Sequence, residues 1–376
     1  MKIGILTLPQ ETNYGGILQA FALQRILCDM GHEVLTIDRH NRREYPSLMI
    51  HFAGYCKRLF FHYLQRRHEI STKWNPFISE EEYKASSAKT QQFIERNIRL
   101  TCHVFSDELA KIEEKYRFDA YVVGSDQVWL DNYCPASFLD FVHRNDVKRV
   151  AYAASCGKKS FFNSPSKVNQ CRGLAKLFNG ISVREEQLVA KCKEQLGVNA
   201  VWVLDPTMLL GPNDYLKSII TNVGGEPVLF SYVLDTNSEK KNLVNFISKS
   251  LRLQIVNGNR IEEIGNNSKA FPSVDDWIGN ISRSNFVVTD SFHGTVFSIL
   301  FNKPFISVIN KERGADRFRS LLHKFGLERR LITDIKIEEL SLLIQEKIDF
   351  NLVNKILKDE KEKSLSFLRN SLHDNV

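Results

Sequence analysis

The sequence predicts an α/β protein with two Rossmann-like domains that face each other across a cleft. Short apolar runs alternate with helical patterns, and most of these runs are continuously apolar, which is typical of parallel strands covered on both faces. Polar residues follow several of the runs in both halves of the chain. Because open α/β sheets bind ligands beyond the carboxyl ends of their strands, these residues indicate one shared cleft.

The predicted domains follow from the alternation of strands and helices. Strands are predicted at 2–8, 33–38, 118–123, 149–154, 200–204, 228–234, 253–256, 285–289 and 304–309. The N-terminal domain is predicted at 1–185, with a helical insertion rich in basic and aromatic residues at about 40–115. The C-terminal domain is predicted at 186–340, and terminal helices at 341–376. A length of 376 residues allows each domain its own core.

The composition excludes several classes of protein. Apolar residues make up 43% of the chain, and 51 Lys and Arg stand against 44 Asp and Glu, which excludes collagen, coiled coil and disorder. No apolar stretch is long enough to span a membrane. The seven cysteines are odd in number and widely spaced, so we expect reduced thiols in a cytoplasmic protein rather than a disulfide framework or zinc knuckles.

Two motifs join a predicted strand to a helix. Asn13-Tyr14-Gly15-Gly16 follows the first strand, where a glycine pair lets a ligand approach the backbone and the helix N-terminus attracts anions. A tight turn without a ligand explains this motif equally well. Asp290-Ser291-Phe292-His293-Gly294-Thr295 repeats the arrangement in the other half and places His293 in the first helical turn. The alternative for His293 is a hydrogen bond to a neighbouring loop.

Two further motifs place polar side chains after apolar runs. Arg184 has the residue type suited to bidentate carboxylate or phosphate recognition, although a salt bridge with Glu185 or Glu186 explains it as well. Asp126, in the motif Gly124-Ser125-Asp126, has a carboxylate that can accept a hydrogen bond from a sugar hydroxyl. Asp205, after the strand at 200–204, has the same capacity. Ordinary turn chemistry accounts for both aspartates when each is taken alone.

Together these motifs resemble the polysaccharide pyruvyl transferase family over about residues 1–320. The matching elements are Asn13-Tyr14-Gly15-Gly16-x-Leu18-Gln19-Ala20-x-Ala22-Leu23, Val123-Gly124-Ser125-Asp126-x-x-Trp129, Ser182-x-Arg184-Glu185, Asp205-Pro206-Thr207 and Thr289-Asp290-Ser291-Phe292-His293-Gly294. The resemblance implies a glycosyltransferase-B-like pair of domains, with the acceptor on the first and the donor on the second. It also implies transfer of pyruvate from phosphoenolpyruvate onto two sugar hydroxyls as a ketal.

The resemblance also implies roles for individual residues. Arg184 and His293 correspond to the family's motif arginine and histidine and are expected to be catalytic. The expected donor-binding residues are Arg184, Ser291, His293, Gly294 and Thr295, and the expected acceptor-binding residues are Asn13, Tyr14, Gly15, Gly16, Ser125 and Asp126. Phosphoenolpyruvate carries a carboxylate and a phosphate, which suit an arginine and helix N-termini.

The expected acceptor is a galactose-type sugar on a lipid or nucleotide carrier, used in capsular or exopolysaccharide assembly. Neither a metal nor a cofactor is expected, with phosphoenolpyruvate as the donor substrate, because the sequence shows no carboxylate-rich metal-binding motif. Two other functions stay open: a nucleotide-sugar glycosyltransferase of the same architecture, and a degenerate member that only binds glycans. The identity of the donor separates the glycosyltransferase from the pyruvyl transferase, and tight glycan binding without any product would favour the degenerate member.

The basic charge is concentrated in residues 39–68. This segment has seven Lys or Arg and one acidic residue, interleaved with aromatic side chains, out of a net charge of +7 for the chain. Such a pattern is typical of a helix on an anionic membrane surface, with Lys57, Arg58, Arg66 and Arg67 as candidate contacts. A solvated helix with a buried face is the alternative, and no nucleic-acid motif accompanies the segment. We therefore expect a cytoplasmic protein at the inner face of the membrane.

Overall fold

The computed structural model describes residues 1–42, 48–64, 80–157, 164–221, 224–259, 262–264, 268–309, 315–333 and 337–373. Its strands are β1 (Lys2–Leu6), β2 (Glu33–Thr36), β3 (Arg39–His40), β4 (Val104–Phe105), β5 (Ala120–Val123), β6 (Lys148–Ala154), β7 (Gly180–Val183), β8 (Val201–Trp202), β9 (Val228–Tyr232), β10 (Gln254–Asn257), β11 (Glu262–Ile264), β12 (Ser268–Ala270), β13 (Ser284–Thr289), β14 (Phe305–Val308) and β15 (Leu331–Ile332). Its α-helices are α1 (Tyr14–Asp29), α2 (Leu48–Tyr63), α3 (Glu80–Asn97), α4 (Ala110–Tyr116), α5 (Pro165–Ala175), α6 (Glu186–Lys191), α7 (Pro212–Ser218), α8 (Ser238–Leu251), α9 (Val274–Arg283), α10 (Phe292–Leu300), α11 (Asp316–Phe325), α12 (Ile337–Gln345) and α13 (Phe350–Leu372).

The first domain is built on a parallel sheet with the strand order β2-β1-β5-β6-β7-β8. Each strand predicted in this half overlaps an observed one, because continuous apolar runs such as β5 are buried on both faces. The sheet continues past the predicted domain end at 185, since β8 pairs with β7. The predicted boundary is therefore corrected to a position after residue 202. No local pattern in the sequence shows which of the two sheets the strand predicted at 200–204 joins.

The second domain is built on a parallel sheet with the order β10-β9-β13-β14-β15. Helix α12 packs on this sheet through Leu340, Leu343 and Ile344. Helix α13 instead returns to the first domain, where Ser364 Oγ accepts a hydrogen bond from the backbone N–H of Leu204 at 3.0 Å. The segment predicted as terminal helices thus divides between the two domains.

The insertion predicted at about 40–115 contains α2, α3, β4 and α4. Helix α3 contacts both domains, because it packs on α1 and also on α9 and β12. Arg96 of α3 donates to both carboxylate oxygens of Asp275 at 2.9 and 2.7 Å. The short parallel pair β3–β4 lies where the chain enters and leaves this insertion.

The domains share one apolar core, in which Tyr14 at the start of α1 is a central contact. Its ring lies 6.0 Å from that of Tyr232 and 5.9 Å from that of Trp277, and its hydroxyl donates to the Pro272 carbonyl at 2.6 Å. Burial, followed by electrostatic repulsion of the phenolate by Tyr232 and Asp276, raises the pKa of Tyr14 above its ordinary range. Tyr14 therefore joins the first domain to the second.

Replacing Tyr14 with phenylalanine should lower the free energy of unfolding by about 0.5–1.5 kcal/mol, since one buried hydrogen bond is lost while the ring contacts remain. Urea unfolding followed by tryptophan fluorescence measures this difference, because Trp277 packs against the ring. A variant as stable as the wild type would show that the contact with Pro272 contributes nothing to stability.

Candidate active site

A cavity of about 290 Å³ lies between the two domains. Its walls come from both, and they consist of Asn13, Asp126, Gln127, Leu130, Gly157, Leu234, Ser291, Phe292, His293 and Arg317. Asn13 and Asp126 follow strands of the first sheet, and Ser291 and His293 follow β13 of the second. The strand ends of both sheets therefore meet at one cavity, as the placement of polar residues in the sequence predicts.

The start of α10 brings His293 to the cavity wall. Ser291 caps the helix, with its Oγ accepting from the Gly294 N–H at 3.4 Å. Gly294 has no room for a side chain, because a Cβ there would lie 2.3 Å from Thr289 Oγ1. Thr295 points into the fold, where its Oγ1 lies 2.6 Å from Ser307 Oγ. Of the predicted donor-binding residues in this motif, Ser291 and His293 line the cavity, while Gly294 and Thr295 shape the helix behind it.

The start of α1 faces His293 across the domain boundary. Asn13 caps α1 through a hydrogen bond from the Gly15 N–H to its Oδ1 at 3.1 Å, and its Nδ2 donates to Asp126 Oδ2 at 3.4 Å. A Cβ on Gly15 would lie 1.9 Å from His293 Nδ1. The sequence predicts that this glycine pair makes room for a ligand. At Gly15, the ring of His293 from the other domain occupies that room instead.

Replacing Gly15 with alanine should displace His293 and lower the free energy of unfolding by about 1–3 kcal/mol, the usual effect of overpacking. Gly16→Ala is the matched control, because a Cβ at Gly16 would meet its nearest neighbouring atom only at 3.5 Å. Thermal unfolding of both variants measures the difference. Equal stability of the two would contradict the close approach of His293 to α1.

Arg184 lies beneath this wall, with 2% of its side chain exposed. Its guanidinium is 3.0 Å from Asp205, 3.4 Å from Glu185 and 3.5 Å from Asp126, and its Cζ is 4.3 Å from the centre of the Phe292 ring. Burial disfavours the charged guanidinium, but these three carboxylates outweigh it and raise the pKa of Arg184. Contact of Arg184 with a donor stays a prediction, and its enclosure favours a positioning role.

Asp205 is the fully buried carboxylate that connects these groups. Its Oδ2 accepts from Arg184 and, at 3.1 Å, from Ser125 Oγ, while Thr207 donates to its Oδ1 through N–H and hydroxyl at 3.0 and 2.7 Å. His293 Nε2 lies 3.6 Å from the same Oδ2. Burial opposes ionisation, but His293, Arg184 and Thr207 outweigh it and hold the pKa of Asp205 well below its usual range.

Glu185 completes the buried charge cluster. Its Oε1 accepts from Ser155 Oγ at 2.7 Å and from Arg184. Burial raises the pKa of Glu185 in spite of these contacts. Glu185, Asp205 and Arg184 thus lie buried together beneath the cavity wall.

His293 Nε2 has an open hydrogen-bonding capacity. It is buried, and the part of the chain that the structure describes provides it with no hydrogen-bond partner. A buried polar atom without a partner is costly, so such an atom on a cavity wall is well placed to receive a ligand.

Several predicted site residues lie away from the cavity. The Tyr14 hydroxyl is engaged with Pro272, and the Ser125 hydroxyl with Asp205 and the Ala153 carbonyl. Sequence reasoning also missed Arg317, the cavity-lining arginine in the first turn of α11. None of the strand-end motifs of the sequence includes Arg317, which is the second residue of α11. Asp205 was noticed as a motif, but its contacts with Arg184 and His293 depend on residues distant in sequence.

The predicted membrane segment is described only in part. Lys57 and Arg58 lie on α2, whereas Arg66 and Arg67 lie outside the described residues. Among the described helices, none combines the length and apolarity needed to cross a bilayer.

Solved structures that are similar to this chain match it along nearly its whole length. The glycotransferase of kitacinnamycin is 11% identical, with 99% of each chain covered and a TM-score of 0.51, a likeness that shows the fold alone. UDP-GlcNAc 2-epimerase from Neisseria meningitidis is 10% identical, covering 100% of this chain and 95% of that one, with a TM-score of 0.48. The epimerase from Rickettsia bellii is 14% identical, covering 98% and 96%, with a TM-score of 0.46. No curated protein matches the chain.

The comparison with protein families covers most of the chain and includes every motif of the site. The profile described as Polysaccharide pyruvyl transferase matches residues 13–312, which begin at the cap of α1 and include α10 and β14. This confirms the resemblance found in the motifs. The chain therefore belongs to the polysaccharide pyruvyl transferase family.

Proposed function

We propose that this transferase moves the pyruvyl group of phosphoenolpyruvate onto two hydroxyls of a galactose-type sugar as a ketal and releases phosphate. The observation that carries the proposal is the second-domain wall of the cavity, where Ser291, His293 and Arg317 converge. A helix N-terminus, an imidazole and a guanidinium are groups that bind phosphate and carboxylate.

The proposed reaction consists of two successive attacks by sugar hydroxyls on C2 of phosphoenolpyruvate. Protonation of the methylene carbon of phosphoenolpyruvate makes C2 oxocarbenium-like, and a first sugar hydroxyl adds to C2 and gives up its proton. A second hydroxyl then attacks C2 and gives up its proton, the C2–O bond breaks with its electron pair going to the departing phosphate, and the ring of the ketal closes. Arg317 and His293 would neutralise the departing phosphate, with His293 as its proton donor or hydrogen-bond partner.

The first-domain wall supplies groups for the acceptor. The amide of Asn13 and the carboxylate of Asp126 line the cavity opposite His293. Both side chains form hydrogen bonds with sugar hydroxyls readily, and Asp126 can accept the proton that an attacking hydroxyl releases. Arg184, 3.5 Å from Asp126 Oδ1, would hold that carboxylate in place.

The test supplies the protein with phosphoenolpyruvate and a panel of acceptor sugars on lipid and nucleotide carriers. We expect phosphate release that depends on the acceptor, and a product that mass spectrometry identifies as the acceptor plus pyruvate minus water. A parallel arm supplies nucleotide sugars, since release of a nucleoside diphosphate would identify a glycosyltransferase instead. Phosphoenolpyruvate left intact across the whole panel would contradict the proposal.

We further propose that α2 docks on an anionic membrane surface, where a lipid-linked acceptor would be found. Apolar side chains recur along one side of α2 at helical spacing and are largely exposed, namely Met49, Phe52, Phe60 and Tyr63 at 83%, 58%, 50% and 67%. The exposed Lys57 accompanies this apolar stripe. Exposed aromatic residues beside basic ones are typical of a helix lying in the membrane interface.

Liposome flotation with anionic lipid tests this docking. Changing Lys57, Arg58, Arg66 and Arg67 to glutamate should abolish co-flotation, since about 1 kcal/mol of attraction is lost for each basic residue near the surface. Phe60→Asp should abolish it too, because the change removes an apolar side chain from the face that docks. Leu342→Asp is the matched control, because Leu342 is 72% exposed on α12 and belongs to no basic segment. Equal flotation of the wild type and the charge-reversed variant would refute membrane docking.

A further inference from the structure

A group of metal-ligand side chains lies outside the cavity, at the base of the α2–α3 insertion. His40 Nε2 is 2.8 Å from Asp38 Oδ1, and His103 Nδ1 is 3.5 Å from Asp38 Oδ2. One ligand atom from each of the three residues lies within 4.8 Å of the other two. The two imidazole rings are 4.3 Å apart between centroids.

The pairing of β3 with β4 explains why these residues converge. The strands pair in parallel with His40 opposite Phe105, and the Val104 N–H donates to the Asp38 carbonyl at 3.0 Å. This register places His103 beside Asp38. Asp38 and His40 share one face of the chain because strand side chains alternate with a period of two. Backbone pairing therefore holds the three side chains together.

The donor set is that of a transition-metal site. Two imidazole nitrogens and one carboxylate oxygen are ligands that Zn²⁺ accepts, whereas Mg²⁺ and Ca²⁺ prefer oxygen alone. Zinc–ligand bonds of about 2.0–2.1 Å in a tetrahedron place ligand atoms roughly 3.4 Å apart. The separations from Asp38 are 2.8 and 3.5 Å, to its two different oxygens, and all three ligand atoms lie within 4.8 Å of one another, so side-chain rotations would bring them to this geometry.

The surroundings also suit a cation. The three side chains are 22%, 25% and 51% exposed for Asp38, His40 and His103, which leaves the fourth position to water. Arg42, two residues after His40, has its guanidinium paired with Asp107 at 3.0 Å and Glu108 at 3.1 Å. These two carboxylates compensate its positive charge.

We propose that Asp38, His40 and His103 bind one Zn²⁺ ion, which ties together the points where the chain enters and leaves the insertion. The ion would fix the base of α2 and α3 against the first domain. The sequence predicts no metal site because it contains no carboxylate-rich motif and no closely spaced cysteines. These ligands are too far apart in the sequence to form such a motif. The proposed ion is structural and lies apart from the cavity.

The test is a zinc titration of the whole chain, stripped with EDTA and titrated in competition with a chromophoric chelator. We expect one Zn²⁺ per chain for the wild type, and at least about 10-fold weaker binding in both His40→Gln and His103→Gln. Both variants should keep the far-ultraviolet circular dichroism of the wild type, because the side chains are partly exposed. Wild-type zinc affinity in both variants would overturn the proposal.

Three control variants address competing zinc ligands. Cys56→Ser and Cys102→Ser remove the two exposed thiols, and His323→Gln removes an exposed imidazole that is paired with Glu328 at 2.9 Å. All three should bind Zn²⁺ as the wild type does. Loss of binding in a cysteine variant would overturn the proposal.

A second measurement does not depend on any variant. X-ray absorption of the zinc-loaded wild type should show nitrogen and oxygen neighbours with the signature of two imidazoles. Sulfur in the first coordination shell would overturn the proposal.

Discussion

Replacing His293 with alanine should lower kcat at saturating phosphoenolpyruvate by about 10²–10⁴-fold, the usual contribution of a general acid or base. The ring is fixed by its position on α10 and by the close approach of Gly15 to Nδ1. Its Nε2 is buried on the cavity wall, 3.6 Å from Asp205 Oδ2 and without a hydrogen-bond partner among the described residues. Removing the ring therefore removes the group best placed to interact with the leaving phosphate. Acceptor-dependent phosphate release measures the effect.

His323→Ala is the matched control for this measurement. His323 is an exposed histidine in the last turn of α11, paired with Glu328, and it does not line the cavity. Its replacement should leave kcat unchanged. Turnover by His293→Ala at the wild-type rate would show that His293 is not a catalytic residue.

Replacing Arg184 with methionine should lower the free energy of unfolding by about 3–5 kcal/mol, the effect of breaking a buried ion pair from one side. The change leaves Asp126, Asp205 and Glu185 facing one another without the guanidinium that compensates them. Methionine keeps much of the apolar volume, so the loss reports mainly on charge. Urea unfolding at neutral pH measures the difference.

Arg25→Met is the matched control for Arg184. Arg25 is 62% exposed and pairs with Asp29 one helical turn away, so its replacement should change stability by less than about 1 kcal/mol. The steady-state kinetics of Arg184→Met distinguish a positioning role of Arg184 from direct contact with the donor. An Arg184→Met variant as stable as the wild type, with a raised KM for phosphoenolpyruvate, would instead support direct contact with the donor.

The stability contributed by Asp205 should depend on pH in a predictable direction. Its pKa in the folded protein is held well below the ordinary value of 3.8, so the folded state favours the ionised form. This contribution is complete above about pH 4 and is lost as the pH falls toward the lowered pKa. The difference in unfolding free energy between the wild type and Asp205→Asn should therefore shrink between pH 5 and pH 2. A difference that is constant over this range would contradict the lowered pKa.

Predictions that rest on local sequence patterns had a different outcome from those that depend on contacts between residues distant in the sequence. Each predicted strand overlaps an observed one, because burial on both faces leaves a continuous apolar run in the local sequence. The helix start at Ser291 is equally local, since a cap and its N–H partner lie within one turn. Strand β7 was not predicted as a strand, because Gly180 and Ser182 interrupt its apolar run.

The sequence by itself determined the α/β class, the parallel strands with polar residues at their ends, and the family, since each rests on short patterns. The tertiary structure decided which of these polar groups reaches the cavity. It encloses Arg184 among three carboxylates and places Arg317 on the wall instead, and it brings His103 beside Asp38 and His40. The physical reason is that a side chain's burial and charge partners depend on residues far away in the chain, which no local pattern encodes.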